Sequence, residues 1–259
     1  MFSILSFFAT LLLILGAYLT YIVISNKKIL NKIKEVGISK AKKENELEEL
    51  EIGEFKTVYI NKILPFKSKI YYIKGLGVLS VMTMNLGIMQ MLSFNINPFE
   101  KDIPQLTVDL IIMLNKRTIL IEIYKLMINS ETENYKEFLK KLEELKGNVA
   151  DLKDFKSTEA LWRDKYYSGF IKKTCDKQNE DILLNLFKDL LNAYFEYAKK
   201  EKDIDSEQKP KKVEAFKEFA DKLIENGGVV AINNFKKTLG DEKTKVFLGK
   251  VFYGYLHAK

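Results

Sequence analysis

The first 25 residues carry no charged side chain. From Phe2 to Ile24 the chain is apolar apart from a few Ser, Thr and Tyr residues. At 1.5 Å per residue, about 20 such residues cross the ~30 Å hydrocarbon core of a bilayer. Only a helix satisfies its own backbone there. The run therefore predicts a transmembrane anchor over residues 1–26, with Tyr18 and Tyr21 toward the interface. A cleaved secretory signal would need a basic start and small residues before the cut, and neither is present. Lys27, Lys28, Lys32 and Lys34 follow the span and nothing basic precedes it, so the expected topology is single-pass, with the N-terminus outside and the C-terminal domain cytoplasmic. The lone cysteine, Cys175, fits a reducing compartment.

Residues 27–51 are rich in charge and helical in composition, and are expected to form a solvated spacer that ends at Asn45–Glu51. Residues 52–259 are long enough for one domain with its own core. From Phe55 to Leu126, apolar and β-branched residues come in short runs broken by Pro and Gly. These runs predict strands near 55–63, 67–74, 77–86, 88–96, 106–114 and 117–126, with a hairpin turn at Asn115-Lys116. No helical segment separates them, so neighbours should pair antiparallel. Val78–Ile96 has a second reading as another membrane span, but polar residues and Gly87 divide it into two strand-length halves.

After Met127 the periodicity turns helical. Ser130 with Glu133 looks like a capping box, followed by Tyr135, Phe138, Leu142 and Leu145 on one face. Further helices are expected around 182–194, after Lys209-Pro210, and over 241–257. Strands first and helices after them give an α+β domain, with helices on a mainly antiparallel sheet.

Chemistry is narrowed by what is absent. The one histidine, His257, is third from the end, and one cysteine cannot hold a four-thiolate cluster. Neither a G-x-G-x-x-G nor a P-loop motif occurs. The net charge of +7 suits an acidic partner or an anionic lipid surface. It is spread along the chain rather than gathered in a nucleic-acid arm, so no nucleic-acid partner is expected.

One acid stands out. Asp109 lies inside the apolar run Leu106–Ile112, on the face of Thr107 and Ile111. Such a carboxyl either titrates high or has a partner, unless its strand is an exposed edge. Asn85, Gln90, Ser93 and Asn95 are further polar residues in the preceding strands. If they share a face with Asp109 and Thr107, they form a polar patch in an apolar pocket, the usual form of a small-molecule site.

The run Asp102-Ile103-Pro104-x-x-x-x-Asp109 resembles the ferredoxin-dependent bilin reductases, where a D-[IL]-P run leads into a strand with a functional aspartate. The order of later features matches too. A helix carries Tyr135, then come Trp162 and Tyr167-Ser168, then a long helix from Glu180. Last is Asp241-Glu242-Lys243-Thr244-Lys245 with Leu248, Lys250 and Phe252. The resemblance spans roughly residues 55–257, as order and spacing more than identity. It implies an α/β/α sandwich with a linear tetrapyrrole between the sheet and the C-terminal helices. It also implies no bound cofactor, with single electrons arriving from an external ferredoxin or flavodoxin and protons from carboxylates. Asp109 corresponds to the central aspartate, and Glu242, or Asp241 with a one-residue slip, to a late one. Some members carry a histidine on the strand before the motif. Here that place holds Gln90 or Leu92, and the membrane anchor is also atypical of the family.

Overall fold

The computed structural model describes residues 2–129, 132–156, 161–227 and 230–258. One helix, α1 (Phe2–Glu44), leads into an antiparallel sheet. Its strands are β1 (Leu47–Leu50), β2 (Thr57–Ile60), β3 (Leu64–Ile73), β4 (Gly77–Asn85), β5 (Met89–Pro98), β6 (Gln105–Met113) and β7 (Lys116–Tyr124). The chain then forms α2 (Glu133–Gly147), β8 (Lys153–Asp154), β9 (Tyr167–Asp176), α3 (Glu180–Lys200), α4 (Gln208–Asn226), α5 (Val230–Leu239) and α6 (Asp241–Phe247). The strand order is β1-β3-β4-β5-β6-β7-β9-β8, with β2 also on β3. Every pairing is antiparallel. This is the α+β sandwich expected from the sequence, and Val78–Ile96 forms two strands rather than a second span.

Alternation assigns the two faces. Directly opposed residues point the same way across an antiparallel ladder, and successive residues point to opposite sides. One face carries Val81, Phe94, Val108, Ile121 and Ile171 in a row and is covered by α1, α2 and α3. The other carries Phe66, Ile70, Val78 and Met82 beneath α4, α5 and α6. The layers are thus helices, sheet, helices. β6 lies in the middle of the sheet, which removes the edge-strand reading of Asp109.

Three expectations change. α1 does not stop at the end of the apolar run; it continues unbroken to Glu44. Its buried residues Ile22, Asn26, Ile29, Leu30, Ile33, Gly37 and Ala41 recur every three or four positions, a seam that lies on the sheet. The lysines are on the opposite side, which is why residues 27–44 read as solvated. Leu47–Leu50 is an edge strand paired with β3, not the end of a spacer. Its outward Glu48 and Glu49 suit a sheet edge, where charge discourages further pairing. At the start of α2 the cap is Thr132, whose hydroxyl accepts from the Tyr135 amide at 3.1 Å. Ser130 lies outside the described residues.

Two devices fix α1 in place. Gly37 lets the helix approach the sheet so closely that a Cβ there would sit 2.5 Å from the Phe94 ring. Farther up, the buried Arg117 donates to Asn26 Oδ1 at 2.9 Å and to Glu180 Oε2 at 2.8 Å, joining α1, β7 and α3. A buried guanidinium is tolerated only with such partners. Among the described residues α1 is also the one helix long and apolar enough, by length and composition, to cross a membrane.

Candidate functional site

Asp109 sits on the face beneath α4–α6. Directly across the ladder is Ser93, and one row farther along Thr107 lies beside Asn95 and Glu122. Gln105 and Asn97 continue the carpet, with Gln105 Nε2 donating to Asn97 Oδ1 at 2.8 Å and Asn97 Nδ2 to the Phe252 carbonyl at 3.1 Å. Ser80 donates to the Val251 carbonyl. The C-terminal segment after α6 is therefore stitched to the polar face by its backbone.

Most of this carpet lacks partners within the chain. Ser68 Oγ, Ser93 Oγ, both amide atoms of Asn95, Gln105 Oε1, Thr107 Oγ1 and Asp109 Oδ1 are buried and make no hydrogen bond. So are Trp162 Nε1 and Arg163 Nε, which flank the same face. Only two such atoms among the described residues, Gln90 Oε1 and Tyr197 Oη, belong to the other side of the sheet. Buried polar atoms are nearly always satisfied, and leaving one bare costs about 1–3 kcal/mol. A concentration of them on one patch is the mark of a surface built to bind something polar.

The electrostatics divide the two buried acids. Burial pushes the Asp109 carboxyl up to about 7. The Ser93 hydroxyl, near the carboxyl but outside hydrogen-bond geometry, and the Arg163 charge draw it down, and the charge of Glu122 raises it. Burial also acts on Glu122, but Lys172, Tyr124 and Arg163 outweigh it and hold this carboxyl below its usual range. Lys172 Nζ is 2.9 Å from Glu122 Oε1, while Tyr124 and Tyr167 donate to it at 2.6 and 3.0 Å. One acid is thus kept charged and its neighbour stays partly protonated near neutrality, the arrangement that suits a proton donor.

Aromatic rings close this end. Phe219 of α4 lies 5.0 Å from Tyr124, 4.9 Å from Tyr166 and 5.9 Å from both Trp162 and Tyr253. Such rings offer flat apolar contact and a few polar edges.

The expected site residues separate. Ser93, Asn95 and Thr107 share the face of Asp109. Gln90 does not: it opposes Ile112 and donates to the Val23 carbonyl of α1 at 3.0 Å, on the other side. Leu92 also points there. Asn85 pairs with Gln90 at the tip of the β4–β5 hairpin and is exposed, its Oδ1 accepting from the Gly87 amide at 2.9 Å. Asp241 and Glu242 open α6 and are exposed, facing Lys236 and Lys245 at 3.6 Å each. Asp102 of the D-I-P run is structural in its contacts: it accepts from the amides of Ile128 and Asn129 and from the buried Lys212 at 3.2 Å. Sequence reasoning missed Glu122, Arg163 and Lys172. Glu122 carried the same signal as Asp109, a single acid in the apolar strand Ile119–Ile123.

No protein-family model matches the chain, and no curated protein matches it. Among solved structures it is similar to phytochromobilin synthase from tomato in complex with biliverdin. The TM-score is 0.66 at 16% identity, over 88% of this chain and 83% of that one. At that identity the likeness is one of fold.

Proposed function

We propose that this chain is a membrane-tethered reductase of a linear tetrapyrrole. Each double bond reduced takes two electrons, delivered singly by a ferredoxin or flavodoxin, and two protons. Asp109 supplies one proton and water the other: a carboxyl near 7 is half protonated at neutral pH and can donate to a bilin that has gained an electron. Glu122 remains charged and, by its repulsion, helps to keep Asp109 protonated. The unpartnered Ser93, Asn95, Thr107 and Gln105 atoms are suited to the pyrrole nitrogens, carbonyls and propionates of a bilin. The net charge of +7 favours encounter with an acidic electron carrier. The apolar half of α1 would anchor the enzyme, with the domain on the cytoplasmic side.

The observation that carries this reading is the patch of bare polar atoms around Asp109, on a fold like that of a protein crystallised with biliverdin. The test uses the full chain in detergent, without oxygen, with biliverdin, reduced ferredoxin and a regenerating system. Bilin absorption should shift on mixing and change again with turnover, and the second change should disappear in Asp109→Asn. Absence of both changes would overturn the reading.

A second reading, a tethered bilin-binding protein without chemistry, is favoured by one observation. Gln90 and Leu92, at the place where some reductases carry a histidine, both face away from Asp109. It predicts the first spectral shift and not the second.

A further inference from the structure

The two ends of the sheet differ sharply. At one end lie the β3–β4 turn, where Leu76 is buried, and the β5–β6 connection, where Phe99 and Ile103 are buried. At the other end lie the β2–β3, β4–β5 and β6–β7 turns. Their tips expose Ile63 (76%), Ile88 (44%), Met113 (53%) and Leu114 (40%). Turn tips are ordinarily Gly, Asn, Asp and Ser. Leu114 even takes a left-handed conformation, φ 53°, at a position where glycine is favoured. A branched apolar side chain held there against backbone preference, and left in solvent, points to a use outside the domain.

The membrane helix leaves the domain at this same end. Asn26 Nδ2 donates to the Leu114 carbonyl at 3.1 Å, and Gln90 Nε2 to that of Val23. Asn115 donates to Tyr18 Oη at 3.1 Å, and the Lys177 ammonium lies 4.4 Å over the Tyr21 ring. Residues 6–17 beyond these contacts are exposed throughout. No flexible linker intervenes, so the direction of the helix fixes the direction of the domain. Lys27, Lys28, Lys62 and Lys116 are exposed at the same level.

We propose that this end of the sheet is a lipid-docking surface: the turn tips enter the interfacial layer of the bilayer that α1 crosses, and the lysines meet anionic headgroups. The proposal rests on reading α1 as a membrane span. It gives the site an orientation. Between Asp109 and the tips, the margin of its face is lined by the half-buried Met84, Met91 and Ile111, one ladder row nearer the tips. An apolar ligand dissolved in the membrane would reach Asp109 along that strip without crossing water.

The test places an environment-sensitive fluorophore on single cysteines of the full chain, in a Cys175→Ser background. The protein is held in nanodiscs of phosphatidylcholine and phosphatidylglycerol, with and without nitroxide-labelled lipid. Probes go at Ile88→Cys and Met113→Cys on the tips, Leu12→Cys in the anchor and Lys74→Cys at the far end. Loss of emission with nitroxide lipid at 12, 88 and 113 but not at 74 is expected. Adding Ile88→Asp and Leu114→Asp should restore emission at 113 and leave 12 quenched. Quenching at 12 alone would overturn docking while keeping the anchor, and quenching nowhere would sink the anchor and the docking with it. Blue-shifted emission at 88 and 113 that nitroxide lipid does not touch would mean that a second copy of the chain covers the tips, and would also overturn it.

Discussion

The two faces of the sheet are made from the same strands and serve opposite ends. The face under α1, α2 and α3 is nearly all aliphatic and aromatic, close-packed and, apart from one atom each of Gln90 and Tyr197, saturated. The face under α4–α6 shares its rows between apolar residues and a carpet of Ser, Thr, Asn, Gln, Asp and Glu, much of it without partners. A protein selected for stability alone would not leave so many buried polar atoms bare. On the proposed function, one face serves folding and the other recognition, and substitutions should split along the same line.

The largest loss is expected on the apolar face. Phe94 is fully buried, edge-on to Phe187 at 5.4 Å, and holds the close approach of Gly37. Phe94→Ala should cost about 3–5 kcal/mol in denaturant unfolding, and a cost near zero would break the comparison. Next comes Lys172→Met, which strips Glu122 of its cation while the acid stays buried. A loss of roughly 2–4 kcal/mol is expected, with the bilin absorption band displaced.

Asp109→Asn should move the other way. The folded carboxyl titrates at about 7 against an ordinary 3.8, so its contribution to stability is complete below about 3.8 and is lost as pH rises through 7. The variant should therefore be more stable than the parent above pH 7, by up to about 4 kcal/mol. It should also lose the parent's decline between pH 4 and 7. Reduction of biliverdin by the parent should fall as pH rises past 7, as the donor loses its proton. An unchanged stability profile in Asp109→Asn would show that the carboxyl is not held protonated.

Thr107→Val and Ser93→Ala remove bare hydroxyls and should change stability by less than about 1 kcal/mol in either direction, yet weaken biliverdin binding. Loss of stability without loss of binding would mean that the carpet is structural. Smallest of all, Glu242→Gln should leave both stability and binding within about 0.5 kcal/mol of the parent, because its side chain is in solvent.

Much of this was legible in the residues. Short apolar runs separated by turns marked the strands, and one acid inside such a run marked Asp109. The partners of Asp109 needed more, because alternation sorts faces only within a strand. Ser93 and Asn95 have the parity opposite to Gln90, which already separates them. Asn85 has the parity of Ser93, but the turn at Leu86–Ile88 resets the phase and puts it with Gln90. Glu122 joins Thr107 through the β6–β7 register, which a one-residue shift of the turn would have changed; the turn is Leu114-Asn115 rather than Asn115-Lys116. Arg163 and Lys172 come from distant parts of the chain, and no local pattern brings them in. The course of α1 was readable in the spacing of Ile22, Asn26, Ile29, Ile33, Gly37 and Ala41, but the lysines on its outer side gave the stronger signal.

The unbroken helix α1 also sets an order of assembly. It is made before the sheet, yet Asn26 waits 88 residues for Leu114 and longer for the sheet to form around it. Until then its inner seam is uncovered. If the ribosome delivers the apolar half to the bilayer first, the growing chain stays close to that seam, and contacts distant in sequence form at a high effective concentration. On that route the strands close against a helix already fixed in direction, and insertion would serve as the template on which the domain is laid down.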